Sequence, residues 1–272
     1  MSTLNKDNMV LFIKTIQTGP FKTLIGALKD ILIDCNVIFT PAGVKVVNMD
    51  KTQTVVVYLD LPHDKFECYE CKRDRIIICM NLHNFSKILT TLDSTDTLNM
   101  YIDNNNYDDG FVSYFSIAVE NAQINQLWIM HLRVMDPESE ESIYPDMEFS
   151  SVITMPSADF QKIIRAYHIL STDVEIKIVG NEINFSCTGQ IADSGITRTS
   201  LGGEKSSSDK VVQGCFPLRA LSNFIKCTPL SPQIDIYLAN DLPLVTKYAV
   251  ANLGTLRLCL AAKQAPAEYN DK

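Results

Sequence analysis

Cys68 and Cys71 stand in the Cys-x-x-Cys spacing shared by metal sites and redox motifs. A closed structural metal site needs four ligands. The neighbouring Cys79, His63 and His83 supply neither a second Cys-x-x-Cys nor a His-x-x-x-His spacing, and residues three apart on a strand point to opposite faces. No metal site is expected. Gly202-Gly203-Glu204-Lys205-Ser206 echoes a phosphate-binding loop but lacks the upstream glycine and the following apolar helix of that motif. It reads as a hairpin tip. None of the four histidines, His63, His83, His131 and His168, sits beside a Ser or Cys in a nucleophile elbow. The chain is therefore expected to be no enzyme and to need no cofactor. One catalytic alternative stays open, a small cytosolic hydrolase whose Cys and His meet only in space.

The remaining chemistry is charge. Lys22 and Lys29 fall at i and i+7 of one apolar-periodic segment, Lys87 lies on a second, Lys162 and Arg165 at i and i+3 on a third, and Arg219 and Lys226 on a fourth. The clear acids on these segments are Asp30, Asp34 and Asp159. Lysines solvate helix faces in most proteins, which is the bland alternative for any one of these residues. The chain as a whole is anionic, with 24 Lys plus Arg against 32 Asp plus Glu and a net charge of −8. A basic surface on an acidic molecule draws a polyanion to one place and repels it elsewhere.

The elements that must position these bases follow from hydrophobic period. At 272 residues, 46% apolar and 21% charged, the chain is of globular composition, and about 150 residues per domain gives just under two domains. The longest apolar runs stop at five residues, as in Val55–Leu59 and Ile76–Met80, far short of the ~20 that span a bilayer. The N-terminus has no signal-peptide pattern, no membrane partner is expected, and eight scattered cysteines suit a reducing compartment as free thiols. The spacing predicts helices over 21–33, 82–92, 157–170 and 217–226. Strands are predicted over 44–47, 55–61, 76–79, 98–102, 111–119 and 127–134 in the first half. In the second they are 149–155, 174–179, 182–187, 196–201, 233–238, 244–250 and 255–260.

Residues 136–148 carry six acids, two prolines and no base, the composition of an exposed connector. They separate a domain of residues 1–135, with 1–10 as an extension, from one of residues 149–272, with 263–272 as a tail. The pattern then restarts. Leu82, Phe85, Ile88, Leu89, Leu98 and Met100 recur as Leu218, Leu221, Phe224, Ile225, Ile234 and Ile236, each pair 136 residues apart. The expected fold class is a duplicated α+β domain, with helices on one face of mainly antiparallel sheets.

Five separated motifs keep order and spacing from about Leu11 to Lys263. They are FKTLIGALKDILIDCNVIFTPAGVKVVNMD, MNLHNFSKIL, MPSADFQKIIRAY, FPLRALSNFIKCTPLS and DLPLVTKYAVANLGTLRLCLAAK. Together they resemble the eukaryotic-type sliding clamp family, proliferating cell nuclear antigen. The N-terminal extension and unusual linker mark a distant member, of the kind a large DNA virus encodes. The resemblance implies a duplicated sliding-clamp fold and a homotrimeric ring. It implies sequence-independent, topological binding of double-stranded DNA, with DNA polymerase, clamp loader and other peptide-motif proteins as partners. It places the protein in the nucleus, or at a cytoplasmic viral replication site. A subunit of a heterotrimeric checkpoint-type clamp is the alternative within the same fold.

Residue by residue, the resemblance carries DNA-facing roles to Lys22, Lys29, Lys87, Lys162, Arg165 and Lys226. Thr90 and Thr23 stand where family members often have a base, so a less basic inner surface is expected. A partner-peptide pocket maps to Met49, Ser142, Ile143, Tyr144, Pro243, Cys259, Leu260 and Ala261. Cys259 replaces a tyrosine, Ser142 a linker leucine, and Ala262 a proline of the family pattern. Ring closure is expected through edge strands, 127–133 pairing with 196–201 of the next copy, with Trp128, Met130, Leu132, Ile196 and Arg198 at the interface.

Overall fold

The computed structural model describes residues 6–93, 95–137, 149–201 and 211–263. The chain divides into two units, Met1–Pro145 with Ala249–Arg257, and Asp146–Tyr248 with Leu258–Lys272. Residues 249–257, which follow the connector in sequence, group with the first unit. Most of the connector, residues 138–148, lies outside the described residues, as do residue 94, residues 202–210, where the sequence predicts a hairpin tip, and both ends of the chain.

The first unit opens with β1 (Met9–Thr15), α1 (Thr18–Leu28), β2 (Asp34–Thr40), β3 (Gly43–Met49) and β4 (Val55–Pro62). It continues through β5 (Cys68–Cys71), β6 (Ile76–Asn81), α2 (Leu82–Leu89) and β7 (Thr97–Asp103). It closes with β8 (Tyr107–Asp108), β9 (Phe111–Val112), β10 (Tyr114–Asn121) and β11 (Gln126–Arg133). One antiparallel sheet runs β11-β10-β7-β1-β5, and β4, β3, β2 and β6 are consecutive neighbours in another.

The second unit contains β12 (Ser151–Pro156), α3 (Ser157–Leu170), β13 (Asp173–Val179), β14 (Glu182–Cys187) and β15 (Ser194–Thr199). After them come β16 (Val211–Pro217), α4 (Leu218–Phe224) and β17 (Gln233–Leu238). β18 (Leu244–Val250) and β19 (Gly254–Leu260) follow in sequence, their residues 249–250 and 254–257 being grouped with the first unit. The sheets of the second unit run β15-β14-β13-β16 and β12-β17-β18. The repeat is present in the elements themselves. α2 and α4 begin at Leu82 and Leu218, 136 residues apart, while α1 and α3 begin at Thr18 and Ser157, 139 apart.

Each helix buries one stripe: Phe21, Leu24, Ile25 and Leu28 on α1, and Phe160, Ile163, Ile164 and Tyr167 on α3. Phe21 and Phe85 meet edge to face at 6.1 Å, joining α1 to α2. Beneath them a cavity of about 40 Å³ is lined only by apolar side chains, among them Ile13, Met100 and Phe115. The opposite face of the same sheet carries a second cluster, Met9, Phe12, Tyr101 and Ala118, all buried.

Helix ends differ from the periodicity. α1 starts at Thr18, three residues early, and takes Gly19 and Pro20 into its first turn, where the missing N–H of proline costs nothing. It stops at Leu28, so Ile31 and Leu32 belong to the following turn, with Leu32 still buried. α2 is capped by Asn81, whose side chain accepts the Asn84 amide at 3.0 Å. It ends at Leu89 rather than at residue 92. There the Thr90 and Thr91 hydroxyls donate to the carbonyls of Lys87 and Ile88 at 2.6 and 2.7 Å, a local alternative to continuing the helix. The predicted strand 111–119 is two strands broken at Ser113, and β1, β2, β5 and β16 had no predicted counterpart. β1 is buried at six of its seven positions, so it shows no polar alternation to read.

Tyr248 is fully buried and its hydroxyl has no hydrogen-bond partner among the described residues. Burial also pushes its ionisation well above the ordinary value. An unsatisfied buried hydroxyl carries its desolvation cost without return. Tyr248→Phe is therefore expected to leave urea-unfolding stability unchanged or raise it by up to about 1 kcal/mol.

Candidate functional site

The apolar stripe of each helix dictates where its bases point. On α3 the buried positions leave Lys162 and Arg165 exposed on the opposite side. Lys87 is exposed in the last turn of α2. Lys22 and Lys29 are half-buried at the border of the α1 stripe, and Lys29 caps the C-terminus of that helix. The Lys22 ammonium donates to the carbonyls of Thr90 and Leu92 at 3.1 and 3.3 Å. It thus satisfies carbonyls that the end of α2 leaves without helical partners, and its charge complements that end of the helix dipole. Sequence reading missed this structural duty of Lys22.

The fourth helix differs from its prediction. It ends at Phe224, and Ile225–Leu230, which contains Pro229, winds into a tighter turn. Lys226 therefore lies beyond the helix, exposed, and the expected i, i+7 geometry with Arg219 does not form. Gln161 Nε2 donates to the Ile225 carbonyl at 3.0 Å, holding this turn against α3. Lys22, Lys29 and Lys87 thus belong to one helix pair, and Lys162, Arg165 and Arg219 to the other, with Lys226 in the turn that follows it.

The strands named for association lie at sheet ends. β11 ends the five-stranded sheet and β15 ends the four-stranded sheet. Trp128 and Ile129 are 44% and 40% exposed, Met130 and Ile196 half-buried, and Arg198 exposed. Leu132 is a correction. It pairs with Phe115 and is buried in the core of its own unit, so it offers no surface to another chain.

The mapped peptide pocket is corrected more heavily. Cys259 and Leu260 are 5% and 0% exposed, so they are core residues of β19. Burial dominates here because the strand alternation that would turn one of them outward is absent: Leu258, Cys259 and Leu260 are all buried. Met49, 44% exposed, ends β3 in the first unit, whereas half-buried Pro243 and exposed Ala261 belong to the second. Ser142, Ile143 and Tyr144 lie outside the described residues. Beside Met49, the Asp50 carboxylate accepts from Thr52 Oγ1 and from the amides of Thr54 and Val55, the latter two at 2.8 Å. Burial opposes its ionisation, but these donors outweigh burial and hold its pKa below the ordinary value.

The geometry also bears on catalysis. His131 Nδ1 lies 2.9 Å from Ser116 Oγ, but Ser116 is fully buried and beyond the reach of a substrate. All eight cysteines are free thiols. The apolar cavity of the first unit contains no histidine in its lining, and no helix among the described residues is long and apolar enough to cross a membrane.

Comparison with known proteins places these features in context. Residues 10–141 match the model of the proliferating cell nuclear antigen N-terminal domain, and residues 143–264 that of its C-terminal domain. The "Probable DNA polymerase sliding clamp 1" of Paramecium bursaria Chlorella virus 1 is 27% identical over 265 residues, covering 95% of this chain and 98% of that protein. The crystal structure of the proliferating cellular nuclear antigen from Entamoeba histolytica shares the fold, with a TM-score of 0.84 at 24% identity. That match covers 94% of this chain and 100% of the other.

The burial of Leu260 separates core from surface in a testable way. An aspartate there places an unpaired charge in an apolar interior, at a cost of several kcal/mol. Leu260→Asp is expected to unfold the second unit in thermal melts, while Ala261→Asp, at an exposed position, melts with the parent protein.

Proposed function

Because the chain belongs to the proliferating cell nuclear antigen family of sliding clamps, we propose that it closes into a ring of three copies around duplex DNA. There it tethers a DNA polymerase as a processivity factor. The observation that carries this reading is the segregation of charge, with exposed bases on the helices of a chain whose net charge is −8. An acidic protein has little open-surface affinity for a polyanion, whereas a closed ring retains DNA by topology. Its bases then screen phosphates without gripping bases or fixing a register. Sliding follows from that absence of firm contacts.

Ring closure rests on the two sheet ends. An unpaired edge strand invites association, and the head-to-tail pairing of β11 with β15 of the next copy satisfies both edges of every chain when the rotation closes. Trp128, Ile129, Met130 and Ile196 supply the apolar contacts, and Arg198 the rim. Partner proteins are read at exposed Met49, and the acidic composition of residues 136–148, which include Ser142, Ile143 and Tyr144, suits peptides with basic flanks. The clamp itself performs no chemistry. It acts where DNA is replicated, the nucleus or a viral replication site, and is loaded there by a clamp loader.

Light scattering on the purified chain tests the assembly. A mass near three times 30.5 kDa is expected, and a persistent monomer overturns the homotrimer in favour of a subunit that needs different partners. Met130→Asp puts a charge at the half-buried edge and should yield folded monomers by the same measurement.

The basic faces are tested separately. Lys87→Glu, Lys162→Glu and Arg165→Glu together exchange attraction for repulsion at exposed positions. The ring mass should be retained while the product length of clamp-dependent primer extension shortens. Parent-like product lengths in this triple variant would sink the basic-lumen reading. Lys22 is left out of the test because its carbonyl bonds give it a part in stability.

A further inference from the structure

The segment ahead of β1 is fastened across the sheet face that points away from α1 and α2. Lys72 Nζ donates to the carbonyls of Lys6 and Asp7 at 3.1 and 3.0 Å, and Asn104 Nδ2 donates to Asn8 Oδ1 at 3.2 Å. Lys6 itself lies over the buried cluster, its ammonium 4.6 Å from the centre of the Phe12 ring. The same ammonium donates to Cys68 Sγ at 3.1 Å and sits 3.6 Å from Glu70 Oε1. The Cys68 thiol in turn lies 3.5 Å from Glu70 Oε1. A lysine nitrogen, a cysteine sulfur and a carboxylate thus meet in one partly exposed cluster that the clamp reading leaves unused.

Cys68 is singled out among the eight cysteines. Cys35, Cys79, Cys187, Cys227 and Cys259 are buried, and half-buried Cys215 has its neighbouring Lys263 ammonium engaged by Asp173 at 2.6 Å. Cys71 shares β5 with Cys68, but Cys68 pairs with Lys14 and Cys71 with Leu11, on opposite faces of the sheet. A disulfide between them would require β5 to leave its ladder. The nearest nucleophile for an oxidised Cys68 is therefore the Lys6 nitrogen.

We propose that Cys68 and Lys6 form a reversible covalent cross-link, a sulfenamide, when the protein meets hydrogen peroxide. In the first step the Cys68 sulfur is oxidised by two electrons, giving sulfenic acid and one water, while the peroxide O–O bond breaks. In the second the Lys6 ammonium passes a proton to the Glu70 carboxylate or to solvent, and its lone pair attacks the Cys68 sulfur. The S–N bond forms, the S–O bond breaks, and the hydroxyl leaves as a second water. Excess thiol reductant reverses the link and restores both side chains. The outcome is a staple that locks the segment ahead of β1 to the edge strand β5 and closes the cover over Phe12.

The test treats the full-length chain with hydrogen peroxide and reads intact mass and tryptic peptides with and without dithiothreitol. The expected result is a linked peptide pair joining Lys6 to Cys68, lighter by two hydrogens than the sum of its parts, with cleavage after Lys6 blocked and restored by dithiothreitol. Lys6→Arg keeps the positive charge near Phe12 but offers no nucleophilic amine, so the linked pair should be lost and Cys68 should become labelled by dimedone. Equal dimedone labelling of Cys68 in parent and Lys6→Arg proteins would overturn the proposal, and so would a peroxide-induced Cys68–Cys71 disulfide. The variant and its readouts are independent of ring formation.

Discussion

Each helix must bury a single apolar stripe against its sheet, and that requirement settles where the charges go. On α3 the stripe of Phe160, Ile163, Ile164 and Tyr167 leaves only the far side for Lys162 and Arg165. The hydrophobic term fixes the rotation of the helix, at about 25 cal/mol for each Å² removed from water. The bases follow without paying for their own placement. The exposed bases on the helices of an acidic protein are thus a by-product of core packing. Lys22 shows how closely the two roles are joined, since its ammonium caps carbonyls at the end of α2 while leaving its charge uncancelled.

Antiparallel sheets impose the second constraint. Every open sheet ends in strands with one unpaired side, and in this chain β11 and β15 are two such strands. Along β11 only Leu132 is buried, while Trp128 on the same face and Ile129 on the other are left exposed. Exposed apolar residues on an edge strand are an aggregation hazard for a lone chain. The pairing proposed above between β11 and β15 of the next copy would cover these two edges.

The chain also builds a feature of its own on the sheet face turned away from the helices. Met9, Phe12, Tyr101 and Ala118 form a small buried cluster there, covered in part by Cys68 and Leu127. Lys6 extends the cover, its ammonium held by Cys68 and Glu70. The hydrogen bond to Cys68 is the leading reason that its pKa rises, with burial opposing it. Residues 6–8 are thus tied to the fold by polar contacts just ahead of β1.

Much of this was legible in one dimension. Spacing set the duplication, because the periods of a helix and of a half-buried strand survive in the residue order. The helix 157–170 and the strands 182–187, 233–238 and 244–250 appear with the very ends that the pattern predicts. The motifs in order carried the family. Tertiary structure decided what periodicity cannot encode. Strands buried on both faces, such as β1, have no alternation to detect. Helix ends depend on competing local hydrogen bonds, as at Thr90 and Thr91, and Lys226 left its helix for that kind of reason. Leu132, Cys259 and Leu260 look like surface candidates in a motif yet are core residues, because burial is a property of neighbours distant in sequence. Lys6 and Cys68 lie 62 residues apart and meet only because β5 pairs with β1.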